Sequence, residues 1–337
     1  MKHSHILLAH GSGGRLSQQL IEEMFVSSFD KHAVPRELND GAVLALPPGK
    51  VVMSTDSFVI SPLFFPGGDI GKLAVSGTVN DLVACGSRPL YLSTAFILEE
   101  GFSLDSLRRI VQSMADTARL AGVELVTGDT KVVEKGSVDQ IFINTAGIGV
   151  VPDGVVYQPG RINAGDRVLV TGTIGDHGLT ILAEREGFKF NTPVTSDCAP
   201  LHEIGQSLQP FGEKVHCMRD PTRGGLATVL NELAVQAGLG IQVEEERIPI
   251  LDAVRSACNM LGMDPLYMAN EGKMVIICEP GISEKVLSTL RSIDVSKNAT
   301  DIGEVISQPA GMVLIKTALG IERILTALEG EHVPRIC

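Results

Sequence analysis

Four aspartates stand beside small or polar neighbours: Asp56 in Ser54-Thr55-Asp56, Asp81 in Asn80-Asp81, Asp129 in Gly128-Asp129 and Asp220 in Arg219-Asp220. Any one of them reads as a helix cap or turn former. Together they offer the hard oxygen ligands that hold Mg2+ against substrate phosphates. Arg219-Asp220-Pro221-Thr222-Arg223-Gly224-Gly225-Leu226 supplies a complementary part. Paired glycines at a helix start let backbone N–H groups approach an anion, and the helix dipole adds attraction. Arg223 can grip phosphate oxygens with both arms of its guanidinium. A plain glycine turn with a surface arginine fits the same residues. His10-Gly11-Ser12-Gly13-Gly14-Arg15 repeats the elements without the G-x-x-x-x-G-K-S/T of a Walker loop, and fits a flexible arm equally well.

Glu271 in Asn-Glu-Gly-Lys precedes an apolar strand, and Lys131 in Gly-Asp-Thr-Lys follows one. They are a general base and its partner if burial tunes them, and solvated turn charges if it does not. His177 is read as structural, because the 8 His are scattered without metal-ligand spacing. The sequence ends Pro334-Arg335-Ile336-Cys337. A Cys fourth from the end would suit prenylation; one in last place does not. Two readings stand: an incidental tail residue, or a thiol that carries a group from one site to another. The residues after Leu328 span about 30 Å when extended, which is reach enough for the second.

Two domains must position these residues. A helix follows Gly14, with Leu16, Leu20, Met24 and Phe25 on one face. Strands are expected at 51–55 ending at Asp56, at 123–127 ending at Gly128-Asp129, and at 141–151; helices are expected from Lys72 towards Cys85 and from the cap Ser103 onward. The turn-rich stretch from Pro152 to Gly160 marks a boundary. Beyond it come a strand at 167–171, helices at 179–186, 199–208, 225–237, 251–261 and 283–292, and a strand at 274–278. A closing helix is expected through Leu319, Ile321, Ile324, Leu325 and Leu328. The fold class is α+β, with domains at 1–156 and 157–328 and a tail at 329–337.

Composition narrows the function. A net charge of −12 argues against a nucleic-acid or anionic-membrane binder, which needs a basic surface. No run is long and apolar enough for a membrane span, and no signal peptide precedes the first glycines, so the chain reads as cytoplasmic. The 6 cysteines show no C-x-x-C pair, which disfavours both a disulfide scaffold and a zinc finger. The 36 glycines fit many tight turns and backbone-lined ligand loops.

His-Gly-Ser-Gly-Gly-Arg, Ser-Thr-Asp-Ser-Phe, Gly-Lys-Leu-Ala-Val-Ser-Gly-Thr-Val-Asn-Asp-Leu, Thr-Gly-Asp-Thr-Lys-Val-Val, Arg-Asp-Pro-Thr-Arg-Gly-Gly-Leu, Asn-Glu-Gly and the terminal Pro-Arg-Ile-Cys occur in that order. Together they resemble the HypE family of hydrogenase maturation factors, within the superfamily of aminoimidazole ribonucleotide synthetase and selenophosphate synthetase. The match runs from about residue 8 to the last. The resemblance implies a homodimer, each chain having an N-terminal α/β domain whose sheet pairs with its partner's and a C-terminal α+β domain. It implies Mg2+ and ATP in the groove between them. Gly13, Gly14, Lys72, Asp129, Thr222, Arg223, Gly224 and Gly225 would bind the nucleotide, and Asp56, Asp81, Asp129 and Asp220 the metal. Cys337 would carry a carbamoyl group received from the carbamoyltransferase HypF. Dehydration to a thiocyanate, with Glu271 and Lys131 catalytic, would feed the HypC–HypD complex and NiFe hydrogenase. A scaffold with a docking or redox cysteine is the rival of another class; an enzyme acting on a small molecule is the nearer one. Selenophosphate synthetase in particular would want a reactive Cys or selenocysteine close to the first glycine loop, and no cysteine precedes Cys85.

Overall fold

The computed structural model describes residues 3–29, 40–188, 192–328 and 330, so the tail and Cys337 lie outside the described residues. Helix α1 (Arg15–Leu20) follows the first glycines and runs on as a wider π-helical turn, Ile21–Val26. Strand β1 is Lys50–Phe58, helix α2 Ile70–Ala84, strand β2 Arg88–Glu99, helix α3 Leu104–Ala121, and strands β3 and β4 are Glu124–Val133 and Ile141–Val151. The strands form a four-stranded sheet in the order β1-β4-β2-β3. β2 and β3 are parallel, the other pairs antiparallel. Asp69 starts α2 by accepting the Gly71 and Lys72 N–H groups at 2.7 and 3.1 Å. Ser103 caps α3, which ends at Gly122 with φ 69. Leu104, Leu107, Val111, Met114 and Ala118 form its buried face, at the helical spacing expected.

The second half holds β5 (Arg167–Val170), α4 (Asp176–Glu186), α5 (His202–Leu208), β6 (Val215–Arg219), α6 (Gly225–Ala237) and β7 (Gly240–Glu244). α7 (Asp252–Leu261), β8 (Val275–Cys278), α8 (Ser283–Arg291), β9 (Thr300–Ile306), β10 (Val313–Lys316) and β11 (Glu322–Leu325) follow. Its seven-stranded sheet runs β11-β10-β7-β9-β5-β8-β6. One apolar core passes through both halves: Leu82 and Val83 of α2 share it with Leu201, Ile204 and Leu208 at α5 and with Ile276 of β8. Each such buried side chain stabilises the fold by about 1.5–3 kcal/mol. Gly205 permits the approach of α5, since a Cβ there would stand 2.9 Å from Val83 Cγ1. A second core lies under α6, where Leu226, Leu230 and Leu233 meet Val168, Val170 and Ile241.

Three sequence expectations change. The helix expected through Leu319 and Leu328 is instead a hairpin ending in β11, which pairs with β10. Its apolar spacing is compatible with a helix, but Leu319, Ile321 and Ile324 are exposed and only Leu325 enters the core. Thr317 closes the turn by donating its N–H to the Ile321 carbonyl at 2.9 Å. β1 continues past Asp56 to Phe58, and β3 past Asp129 and Lys131 to Val133, because neighbouring strands still satisfy their backbone groups. Asp81 lies inside α2 rather than at an end or in a glycine turn.

Candidate functional site between the two halves

Asp56 and Asp81 come together because β1 packs beneath α2. Asp81 Oδ2 accepts the Ser54 hydroxyl at 2.6 Å. Burial raises the Asp81 pKa above the ordinary carboxylate range; Asp56 adds to the rise, while Ser54, Arg219 and Arg223 oppose it. Asp220, just past the end of β6, joins from the second half. Burial, then Asp81, push its pKa up to about 7, and Asp56 contributes in the same direction. Arg223 Nη2 reaches across to donate to Asp56 Oδ1 at 3.1 Å. Three carboxylates and two arginines therefore share one field.

Asp129 stands apart within the chain. Gly128 pairs with Thr94, and Thr94 with Thr145, which is opposite Asp56, so that row faces α2. Side chains alternate along a strand, which puts Asp129 and Lys131 on the opposite, exposed face with Met53 and Ile97. Gly13 and Gly14 are exposed near this same strand: a Cβ on Gly11 would meet the Val132 backbone N at 2.7 Å. Lys72 donates from Nζ to the Gly67 carbonyl at 2.8 Å. Gly224 and Gly225 open α6 with φ 71 and 62. A Cβ at Gly225 would sit 2.5 Å from the Leu266 and Met268 carbonyl oxygens, so the turn after Thr222 accepts no side chain there.

Glu271 is 5% exposed and Lys273 8%, which excludes a solvated-turn reading of this loop. The loop is held from three sides. Asp197 accepts the Glu271 and Gly272 N–H groups at 3.1 and 3.2 Å and pairs with Lys273 Nζ at 3.5 Å. Asn270 accepts the Gly175 N–H at 2.8 Å and donates from Nδ2 to the Pro221 carbonyl at 3.0 Å, tying Glu271 to the Asp220–Arg223 loop. Asn80 of α2 donates from Nδ2 to the carbonyls of Ala199 and Glu271. Asn80, Asp197, Asn270 and Lys273 are functional neighbours that the sequence motifs do not single out. Asn80, Asn270 and Lys273 adjoin residues that those motifs do select, whereas Asp197 carries no local signal at all.

Among the described residues no group of three or more His, Cys, Asp or Glu could by itself hold a metal ion. Mg2+ is commonly held by one or two carboxylates together with substrate phosphates, and the Asp56–Asp81–Asp220 donors fit that mode. His177 is buried: its Nδ1 lies 2.8 Å from the Ser196 hydroxyl, and its ring packs edge-on to Phe65. Burial pushes its pKa down to about 4 from an ordinary 6.5. The unfolded chain therefore binds this proton first, and His177 contributes stability above pH 6.5 that is lost as pH falls towards 4. The stability gap between wild type and His177→Gln should shrink by about 3 kcal/mol across that window in denaturant titrations. A constant gap would refute the assignment.

A four-stranded mixed sheet is thus joined through α2 to a second mixed domain, with Asp56, Asp81, Asp220 and Arg223 at the seam, and both domains match AIR synthase related proteins. The N-terminal domain of that family matches residues 38–151 and its C-terminal domain residues 163–316. Carbamoyl dehydratase HypE of Cupriavidus necator is 49% identical, over 100% of this chain and 96% of the relative. The crystal structure of hydrogenase maturation protein HypE in complex with ATP superposes with a TM-score of 0.94 at 48% identity, covering 98% of this chain and 99% of that one. A structure of the HypE–HypF complex matches at a TM-score of 0.81 and 48% identity, over 92% of this chain and 99% of that one. The chain belongs to the HypE family of AIR synthase related proteins. Among the described residues no helix is long and apolar enough to cross a membrane.

Proposed function

We propose that the chain is an ATP-dependent carbamoyl dehydratase that acts on its own Cys337 and supplies cyanide for NiFe-hydrogenase maturation in the cytoplasm. Domains at 1–156 and 157–328 build the site, and 329–337 is the substrate-bearing tail. One observation carries the reading: Asn270 and Asn80 lock the buried Glu271 loop onto both the Asp220–Arg223 loop and the Asp81 helix. A proton acceptor and a phosphate-binding apparatus thus meet at one seam, in a chain 49% identical to a carbamoyl dehydratase.

The chemistry follows from the leaving group. A HypF-type carbamoyltransferase loads Cys337 as the thiocarboxamide, R–S–C(=O)NH2. An amide oxygen leaves poorly, so the oxygen attacks the γ-phosphoryl group of ATP and one N–H proton departs. The C–O bond then breaks, the second N–H proton leaves, and R–S–C≡N, ADP and phosphate result. Glu271 takes a proton. Arg223, Thr222, Lys72 and the Gly224-Gly225 amides bind and orient the phosphates. Asp56, Asp81 and Asp220 would hold Mg2+, which neutralises phosphate charge when bound. Asp129 and Lys131 point away from the cluster of their own chain, so we assign them to a partner's site. A homodimer pairing the open sheet faces, where Val51 and Met53 are 53% and 71% exposed, would bring them there. The cyano group then passes to iron on a HypC–HypD complex.

Intact-mass spectrometry after carbamoyl transfer tests this directly. Cys337 should gain about 43 Da, and the adduct should lose about 18 Da only with Mg-ATP, as a covalent intermediate requires. Cys337→Ala should acquire neither change while still binding ATP. No adduct on folded, ATP-binding wild type would sink the proposal.

A further inference from the structure

Asn80 takes no proton and binds no phosphate in the chemistry above, yet its amide makes three hydrogen bonds across the seam. It is 2% exposed. Its Nδ2 donates to the Ala199 carbonyl at 3.1 Å and to the Glu271 carbonyl at 3.4 Å, while its Oδ1 accepts the Leu201 N–H at 2.7 Å. All three partners belong to the second half. Asn is a poor interior helix residue, and a buried amide is costly unless satisfied. Among the described residues it is satisfied by the loop that carries Glu271 and the segment that braces it. The next residue, Asp81, points about 100° further round the helix, towards Ser54 and the acidic cluster.

We propose that Asn80 is a positioning residue for Glu271: through α2 it fixes the proton acceptor relative to the Asp81 cluster. The inference rests on Glu271 being the base. Without Asn80 the Glu271 carbonyl keeps the Ala199 N–H at 3.3 Å, so the loop persists but loses its tether to α2. A displacement of about 1 Å at a reacting group costs up to about 100-fold in rate, with little effect on nucleotide affinity.

The test is single-turnover dehydration of the carbamoylated full-length protein at saturating Mg-ATP, alongside the ATP Kd. Asn80→Ala and the milder Asn80→Ser, whose hydroxyl can bond within its own helix, should slow the step about 10- to 100-fold while the Kd moves less than about twofold. Arg185→Ala removes another bond across the seam, Arg185 Nε to the Ser61 carbonyl at 3.2 Å, and should leave both quantities unchanged. In a Glu271→Asp background, where the base is already displaced, Asn80→Ala should cost less than about threefold more. Full additivity in that background, or a Kd rising in step with the rate loss, would overturn this inference alone. Wild-type turnover by Glu271→Gln would remove the base, and the inference with it.

Discussion

Glu271→Gln binds ATP as the wild type does and makes no thiocyanate: that is the expected result. Glutamine keeps the volume of the side chain, and the backbone contacts to Asp197, Asn80 and Ala199 do not depend on the carboxylate. What is lost is the carboxylate proposed as proton acceptor, on a residue only 5% exposed. Loss of a positioned base typically costs about 10²- to 10⁴-fold, so the carbamoyl adduct should persist in the mass spectrum over the time in which wild type converts it. Conversion at the wild-type rate would exclude Glu271.

Asp81→Asn has the second large effect, and its two consequences carry opposite signs. Burial beside Asp56 and Asp220 disfavours the Asp81 charge, as its raised pKa records. Neutralising it should therefore leave the metal-free protein at least as stable at neutral pH, because a folded-state pKa above the unfolded value is a cost once the group ionises. The same change removes a carboxylate proposed to hold Mg2+ at the seam. ATP hydrolysis should fall by about 100-fold or more, the range seen when preorganised electrostatic groups are removed. Calorimetry and a phosphate-release assay check the two signs. A variant that melts lower and hydrolyses ATP normally would contradict both.

Much of this was legible in the sequence because local rules agreed with tertiary structure. Ser103 opens α3, and the paired glycines announce α6. Asp56, Asp81 and Asp220 each read as acids near small residues, and Asp56 and Asp81 raise the pKa of Asp220. Asp129 fits the same local pattern and lies on the other face of the sheet, because strand alternation is invisible until the register is known. The hairpin ending at β11 differs from the helix its sequence suggests for a related reason. Leu319, Ile321, Ile324, Leu325 and Leu328 satisfy a helical period, and only burial reveals that most of them face outward. The contacts of Asn80, Asp197 and Asn270 were beyond reach altogether. They join residues more than seventy positions apart in several cases, such as Asp197 to Gly272 and Asn80 to Glu271.

The continuous apolar core has a consequence for how this molecule can move. Domains that close on a ligand like jaws need a seam that parts at little cost, usually polar and thinly packed. Here Leu82 and Val83 are embedded with Leu201, Ile204 and Ile276 in one interior, so parting the halves would expose a hydrophobic centre to water. The halves are one mechanical body. Access to the seam must then come from something delivered to it, and a substrate borne on the chain's own terminus suits a cleft that does not gape.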